Sequence, residues 1–227
     1  MIRPLLLAAA MALPAYTAAQ QPAAQPSPAT AAPAAATAAA TPGKPDAAKI
    51  VNEVCAACHG ADGNSVQPAN PSLAGQPADY ITRQLAHFKS DIRPSAIMKG
   101  FAAPLSDADM QALGVYFSQQ KAKPQAARDP ALVKAGQKIY RAGVATTGVP
   151  ACSGCHSPDG IGIPKNFPRL GGQFADYTYA QLKAFGAGER GNDKAGKDVT
   201  GRIMHVVAQR MSDSDMKAVA EYMQGLR

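Results

Sequence analysis

Two five-residue stretches decide how this chain folds: C-A-A-C-H at residues 55–59 and C-S-G-C-H at residues 152–156. In each stretch two thiols are separated by two residues, and a histidine follows the second thiol directly. Thiols at this spacing can add to the two vinyl groups of one haem, and the adjacent imidazole can then reach the iron. The sequence therefore predicts two covalently attached haems, the first on Cys55, Cys58 and His59 and the second on Cys152, Cys155 and His156.

Two other kinds of site also use C-x-x-C pairs. A thioredoxin-like dithiol belongs in a βαβ unit, and no such pattern surrounds either stretch. A four-cysteine zinc site would have to take its ligands from two distant parts of the chain. Neither alternative explains the two histidines. Because all four cysteines lie in the two stretches, no thiol is left for a disulfide.

The chain is an imperfect duplication. Residues 55–84 match the sequence found 97 positions later, and residues 98–116 match the sequence found 106 positions later. Nine additional residues therefore fall in segment 186–200 of the second copy. Copies of this size indicate two domains rather than a solenoid, and we expect them at 46–123 and 124–227.

Each copy shows helical periodicity. Ile81, Leu85 and Phe88 recur at the spacing of one apolar helix face, and no alternating strand pattern is present. Ser106 and Ser212 stand where the N-caps of the last helices are expected, with aspartates in the following turn. Tryptophan is absent and other aromatic residues are few, so a buried porphyrin is needed to fill two small cores. These features predict an all-α pair of domains with haem-filled cores.

A haem iron bound by one histidine has a sixth position, and its occupant separates an electron carrier from a catalyst. Met98 and Met204 are equivalent in the duplication and lie well downstream of the motif histidines, so we expect them to be the sixth ligands. Met110 and Met216 are also equivalent, so repetition alone does not choose. Each of the latter stands at the fourth position of its predicted helix, where it would pack on the residue before the N-cap. A core role accounts for that pair.

The two remaining histidines have no counterpart in the other copy. His87 corresponds to Ala184, and His205 corresponds to Lys99. An iron site with two histidine ligands is therefore not expected. We expect His87 on a helix surface and His205 beside the methionine ligand of the second haem.

Two prolines lie at matched distances from the motif histidines, Pro71 in N-P-S-L-A-G-Q and Pro168 in F-P-R-L-G-G-Q. They can be plain turn residues. A backbone carbonyl at this position can also accept the second ring N–H of the histidine, which would fix the orientation and basicity of the ring. Tyr80 and Tyr177 are expected to pack on the haems.

The first 45 residues differ from the rest in composition. Residues 1–19 hold one basic side chain and an apolar run at 5–13, followed by small residues, which is typical of a secretory signal peptide. An uncleaved anchor is the alternative, but the run is shorter than the ~20 residues that span a bilayer. Residues 20–45 are almost wholly Ala, Pro, Thr, Gln and Ser and predict a disordered tether.

The formal net charge is +7, and most of the excess lies in the second copy. Residues 49–123 carry 7 basic and 6 acidic side chains, whereas residues 124–227 carry 14 and 9. The two signs are interspersed, as on a solvated surface, and haem propionates would offset part of the excess. Nucleic-acid binding is therefore not indicated.

Residues 46–227 resemble the cytochrome c4 family, which are diheme class I c-type cytochromes of the periplasm. The resemblance rests on both C-x-x-C-H stretches, on L-A-G-Q and L-G-G-Q, on Y-x-x-x-Q-L in each copy, and on a methionine ahead of L-S-D-A-D-M or M-S-D-S-D-M. It implies two cytochrome c folds packed face to face about a pseudo-twofold axis, with the haem propionate edges close together. Met211 departs from the usual leucine, and additional residues lengthen the second copy.

The same resemblance implies an electron carrier rather than an enzyme. Electrons would come from a quinol-oxidising complex or a dehydrogenase and pass to a terminal oxidase. A dedicated cytochrome subunit of a dehydrogenase is the alternative, and peripheral association with the membrane stays open. A diheme enzyme, such as a peroxidase or thiosulfate dehydrogenase, would need an open or unusually ligated iron, and the chain has no spare cysteine for such a ligand.

Overall fold

Helices form the two halves of the molecule in the same order, as the duplication predicts. The computed structural model describes residues 45–227. The first half contains α1 (Ala47–Ile50), α2 (Ala56–His59), α3 (Ala78–Lys89), α4 (Ala96–Ala102) and α5 (Asp107–Ser118). The second half contains α6 (Pro130–Ala142), α7 (Ser153–His156), α8 (Ala175–Ala187), α9 (Val199–Ala208) and α10 (Asp213–Gly225). The expected all-α class is confirmed for these residues, whose β pairing is limited to two isolated bridges.

Two predicted segments lie outside the described residues. These are the signal peptide at 1–19 and the tether at 20–45, of which Pro45 alone is described. Within residues 45–227, no helix is both long and apolar enough to cross a membrane. The boundary predicted between residues 123 and 124 falls in the segment that joins α5 to α6.

Capping boxes begin the last helix of each half. The Ser106 hydroxyl accepts a hydrogen bond from the backbone N–H of Asp109, and the Asp109 carboxylate accepts one from the backbone N–H of Ser106. Ser212 and Asp215 repeat this arrangement at the start of α10. The predicted N-caps are confirmed, and they satisfy backbone donors that a helix start leaves unpaired.

Each half has its own hydrophobic core, in which the last helix packs closely against an earlier one. A Cβ on Gly114 of α5 would lie 2.6 Å from the carbonyl oxygen of Ala78 in α3, so only glycine allows this approach. Gly136 of α6 has the same role against Ala218 of α10. The first core centres on Val51, Ile81, Leu113 and Phe117. The second includes Tyr140, Leu182, Phe185, Met216, Val219 and Tyr222.

The halves differ in the segment that leads into each motif. In the first half α1 continues through a π-helical turn, Val51–Cys55, directly into α2. In the second half α6 ends at Ala142, and a loop with a β-bridge between Val144 and Val149 precedes α7. A π turn accommodates one additional residue within a helix and is common at functional sites. Both motifs are therefore helical, although a continuous helix precedes the first and a loop precedes the second.

The described residues, 45–227, belong to one compact unit, so the two halves are in contact. Equivalent glutamines form part of this interface: Gln76 bonds the backbone of Arg169, and Gln173 bonds the backbone of Ser72. Because each half contributes the same group to the other, the halves are related by a pseudo-twofold axis. The implied face-to-face arrangement is therefore present in the structure.

Candidate haem sites

Each motif forms one turn of helix that ends at its histidine. In the first half Cys55 closes the π-helical turn and His59 is the last residue of α2. Residues four apart on a helix share a face, so these two side chains can both contact the same haem. The chain leaves α2 at Gly60 with a φ of 77°, where a Cβ would lie 2.6 Å from a backbone oxygen of the following loop. In the second half Cys152 directly precedes α7, and His156 is the last residue of that helix.

One ring nitrogen of each motif histidine is already engaged. Nδ1 of His59 lies 2.9 Å from the carbonyl oxygen of Pro71, and Nδ1 of His156 lies 3.0 Å from that of Pro168. An N–H donated to these carbonyls leaves Nε2 as the nitrogen available to iron. Burial lowers the pKa of both histidines and outweighs the opposite effect of the carbonyl bonds. Both shifts favour the neutral ring, which is the form that binds a metal.

Backbone hydrogen bonds fix the loop that carries each of these carbonyls. The carbonyl oxygen of Gly63 accepts from the backbone N–H groups of Leu73 at 2.6 Å and Ala74 at 3.0 Å. The equivalent Gly160 accepts two such bonds in the second half, at 2.8 and 3.0 Å. These bonds close the loop onto the turn that follows the motif. Each proline carbonyl is thus held in place against its histidine.

The thiols within each motif differ in exposure. Cys55 and Cys152 are half-buried, whereas Cys58 and Cys155 are exposed, and no disulfide joins any of the four. Burial raises the pKa of Cys55 and of Cys152 to about 11. A reactive dithiol or a zinc site needs thiolates, which a raised pKa disfavours. Among residues 45–227, no three His, Cys, Asp or Glu side chains lie together where they could hold a metal ion. The donor set of each motif fits haem better than either alternative.

The structure separates the two pairs of equivalent methionines by burial. Met98 lies in the first turn of α4, which Ser95 caps, and is half-buried. Met204 lies in α9, is half-buried and contacts the core of the second half. Met110 and Met216 are only 2% and 5% exposed. The assignment of Met98 and Met204 as sixth ligands stays a prediction, and the deep burial of the other pair accords with a core role.

The expectation for His87 was wrong. The residue is 7% exposed and does not lie on a helix surface. Its Nδ1 lies 3.8 Å from a carboxylate oxygen of Asp198, which also caps α9, and has no hydrogen-bond partner among the described residues. Burial lowers the pKa of His87 despite the opposing charge of Asp198. Asp198 belongs to the longer segment between α8 and α9, and the sequence alone does not show that this segment covers α3.

His205 follows Met204 on α9, as expected from the sequence. Its Nδ1 lies 2.6 Å from the carbonyl oxygen of Phe185 on α8, so its ring is tied to the backbone of the neighbouring helix. This contact gives His205, which has no counterpart in the first half, a structural role.

Two buried arginines at the interface were missed by the sequence analysis. Arg93 donates to the side-chain oxygen of Gln84 in its own half, and to Tyr177 and Gln181 in the other half, each at 2.8 Å. Its guanidinium also stacks over the ring of Phe88, 4.5 Å from the centroid. A side chain that bonds both halves at once can only be recognised from the folded structure.

The second arginine makes the equivalent contacts about the pseudo-twofold axis. Arg190 donates to Gln181 in its own half at 2.6 Å, and to Tyr80 and Gln84 in the other half at 3.0 Å. It stacks over Phe185 at 4.4 Å. Arg190 lies 97 positions after Arg93, so the register of the duplication continues beyond residue 84 and could have revealed the pair. Tyr80 and Tyr177, expected to pack on the haems, use their hydroxyls in this network.

The network carries two positive charges, and the carboxylate of Asp198 acts on Arg93 through space without forming an ion pair. Arg93 and Arg190 are each 8% exposed, and neither forms an ion pair with an acidic side chain of the described residues. Burial alone would raise the pKa of Tyr80, but the charges of the two guanidiniums outweigh it, and the pKa is lowered. Buried charges are normally paired, and guanidinium groups bind carboxylates well. The propionates of haem are anions of this kind, so the network fits the cofactor that the motifs predict.

Comparison with known proteins shows which family this chain belongs to. Residues 133–227 match the family model described as cytochrome c, and residues 43–117 match the model described as cytochrome c oxidase, cbb3-type, subunit III. The chain is 45% identical over 183 residues to cytochrome c4 of Stutzerimonas stutzeri, which covers 76% of this chain and 84% of that protein. This chain belongs to the cytochrome c4 family.

Further relatives agree with this assignment to the cytochrome c4 family. The crystal structure of reduced recombinant cytochrome c4 from Pseudomonas stutzeri matches with a TM-score of 0.72 at 42% identity, covering 81% of this chain and 100% of that chain. A thiosulfate dehydrogenase electron acceptor of Thiomonas intermedia is 41% identical over 172 residues, covering 74% of this chain and 76% of that protein. The two tandem cytochrome c domains and the two covalently bound haem c groups are confirmed, and the protein is a diheme electron-transfer cytochrome.

Proposed function

We propose that this cytochrome carries electrons in the periplasm, with His59 and Met98 binding the first haem iron and His156 and Met204 binding the second. The observation that carries the proposal is the pair of carbonyl contacts, at 2.9 and 3.0 Å, that hold each motif histidine with Nε2 free for iron. A histidine and a methionine together would fill both axial positions, and such ligation favours electron transfer. No substrate could then reach either iron, so we do not propose an enzyme.

The haem supplies a one-electron iron couple, and the residues of the chain set the conditions under which it works. Burial lowers the pKa of both motif imidazoles and so favours their neutral form, and the carbonyls of Pro71 and Pro168 fix the orientation of the rings. Contacts across the interface hold the two halves in one compact unit. Electrons can therefore pass between the halves without a separate docking step.

The proposed location and partners rest on the sequence. The signal-like segment at residues 1–19 supports export. We expect a quinol-oxidising complex or a dehydrogenase as the donor and a terminal oxidase as the acceptor. Residues 124–227 carry 14 basic and 9 acidic side chains, so this half offers a positively charged surface to an acidic partner.

A second candidate is a dedicated electron acceptor for one dehydrogenase. The 41% identity to a thiosulfate dehydrogenase electron acceptor favours it. The two candidates share their cofactors and differ in the donor. Rapid mixing of the oxidised protein with purified thiosulfate dehydrogenase and its substrate, and separately with a quinol-oxidising complex, distinguishes them. Fast reduction by the first donor alone supports the dedicated acceptor, whereas fast reduction by the second supports the general carrier.

Carbon monoxide tests the proposed ligation directly. The reduced protein should take up carbon monoxide poorly at both haems, since methionine already fills each sixth position. Met98→Ala should open the first haem and lower its potential while the second haem keeps its thioether signature, and Met204→Ala should do the reverse. Ready uptake by the unaltered protein, or closed haems in both variants, contradicts the assignment.

A further inference from the structure

Gln76 and Gln173 are equivalent buried glutamines, 6% and 7% exposed, that each reach into the other half. The side-chain amide of Gln76 donates to the carbonyl oxygen of Arg169 at 2.7 Å, and its Oε1 accepts from the backbone N–H of Arg169 at 3.0 Å. Gln173 donates to the carbonyl oxygen of Ser72 and accepts from the backbone N–H of Ser72, both at 3.0 Å. Each glutamine therefore clamps one backbone residue of the opposite half.

The clamped N–H groups belong to the peptide groups that hold the motif histidines. The N–H of Arg169 and the carbonyl of Pro168 are two ends of one peptide group, and that carbonyl lies 3.0 Å from Nδ1 of His156. A single peptide group thus stands between Gln76 and His156.

The other half repeats this chain of contacts. The N–H of Ser72 and the carbonyl of Pro71 form one peptide group, and that carbonyl lies 2.9 Å from Nδ1 of His59. A single peptide group thus stands between Gln173 and His59. Both haem sites have the same sequence of contacts: glutamine oxygen, peptide group, imidazole.

A peptide group polarises when its N–H is hydrogen-bonded, and its carbonyl oxygen then becomes a stronger acceptor. A stronger acceptor at Nδ1 makes a metal-bound imidazole more basic and a better donor to iron. A more strongly donating imidazole favours the oxidised iron, so it lowers the reduction potential. The physical effect of each glutamine on iron is therefore predictable in sign.

We propose that Gln76 and Gln173 are positioning residues that act across the interface, Gln76 on the proximal histidine of the second haem and Gln173 on that of the first. The interface then does more than join the two halves, because each half sets part of the reduction potential of the haem in the other. The proposal rests on the ligation proposed above for His59 and His156. Haem content and carbon monoxide uptake check that ligation independently.

The test is Gln76→Leu, which removes the acceptor oxygen at nearly unchanged side-chain volume. The reduction potential of the second haem should rise, and the reduction potential of the first haem should not change. A change below tenfold in the redox equilibrium is expected, which is less than about 59 mV for a one-electron couple. Gln173→Leu should raise the potential of the first haem alone. NMR of the protein during a redox titration assigns each potential to its own haem.

A second readout follows the histidines themselves. In the reduced protein, the Nδ1 signals of His156 should move in Gln76→Leu, and those of His59 should move in Gln173→Leu. If leucine disrupts folding, Gln76→Met removes the same acceptor oxygen with a more flexible neutral side chain, and it should also raise the potential of the second haem alone. Tyr80→Phe is the matched control, since it removes an interface hydrogen bond that Arg190 donates to the Tyr80 hydroxyl without touching either peptide group.

Two results overturn the proposal: equal shifts at both haems, or a shift confined to the haem of the substituted half. If Tyr80→Phe reproduces the crossed pattern, the effect belongs to the interface in general and the proposal is also wrong. Two haems per chain and closed iron sites in the variants show that the proposed ligation survives, so its failure and the failure of this inference are distinguishable.

Discussion

At the residue scale, burial separates two kinds of methionine in this cytochrome. Met98 and Met204 are half-buried, whereas Met110 and Met216 are almost fully enclosed by the protein. Protein interiors are close-packed, so a thioether already surrounded by core atoms cannot turn to an iron without leaving a void. The half-buried pair retains that freedom. Burial therefore supports the choice that repetition alone left open.

Met110→Ala should destabilise the protein without changing the iron ligands. Deleting a buried methionine side chain costs about 2–5 kcal/mol of unfolding free energy, because both burial and packing are lost. Guanidinium unfolding of the oxidised protein measures the loss, and the thioether signature of both haems should remain. Met98→Ala is the comparison variant, in which the signature of the first haem should disappear. Loss of that signature in Met110→Ala would reverse the assignment of the two methionines.

At the scale of single elements, the last helix of each half depends on its start. Both α5 and α10 begin with a serine and an aspartate that satisfy each other's backbone N–H groups. These helices supply Leu113 and Phe117 to the first core and Val219 and Tyr222 to the second. A loosened helix start therefore weakens the packing of each core.

Ser106→Ala should lower stability by about 0.5–2 kcal/mol, since a hydroxyl acceptor at the N-cap is lost. Ser212→Ala should do the same in the second half. Ser106→Gly is the matched control, because glycine at an N-cap costs only a few tenths of a kcal/mol relative to serine. Unfolding monitored by circular dichroism gives all three values. A loss near zero in Ser106→Ala would mean that the serine hydroxyl contributes little to this helix.

What the sequence could predict depends on how local the feature is. The motif turns, the N-caps and the contacts of Pro71 and Pro168 lie within a few residues of their partners or recur in both copies, so spacing was sufficient. The environment of His87 depends on Asp198, which lies in an insertion that has no counterpart in the first copy. The path of such a segment is set by tertiary contacts that leave no periodic signal.

At the scale of the whole molecule, the interface concentrates positive charge between two cofactor sites. Arg93 and Arg190 are buried, form no ion pair within residues 45–227, and each donate to side chains of both halves. A positive charge near a haem stabilises the reduced iron, which carries one positive charge less than the oxidised iron. Because each guanidinium lies at the interface and bonds side chains of both halves, its charge should raise the potential of both haems. Each glutamine, by contrast, should change the potential of one haem only.

Arg93→Met should therefore lower the potential of both haems. With an effective dielectric of about 20, unit charges roughly 10–15 Å apart interact by about 1–2 kcal/mol, and about 1.4 kcal/mol corresponds to a tenfold change, or about 59 mV for one electron. Arg190→Met should have the same effect, and Arg93→Lys should have a smaller one because the charge remains while the forked geometry is lost. Lys134→Gln removes an exposed charge on α6 and serves as the control, since solvent and salt screen such a charge. Redox titrations of the four variants decide the matter: unchanged or raised potentials in Arg93→Met, or a decrease no larger than that of Lys134→Gln, would mean that the buried arginines do not set the potentials.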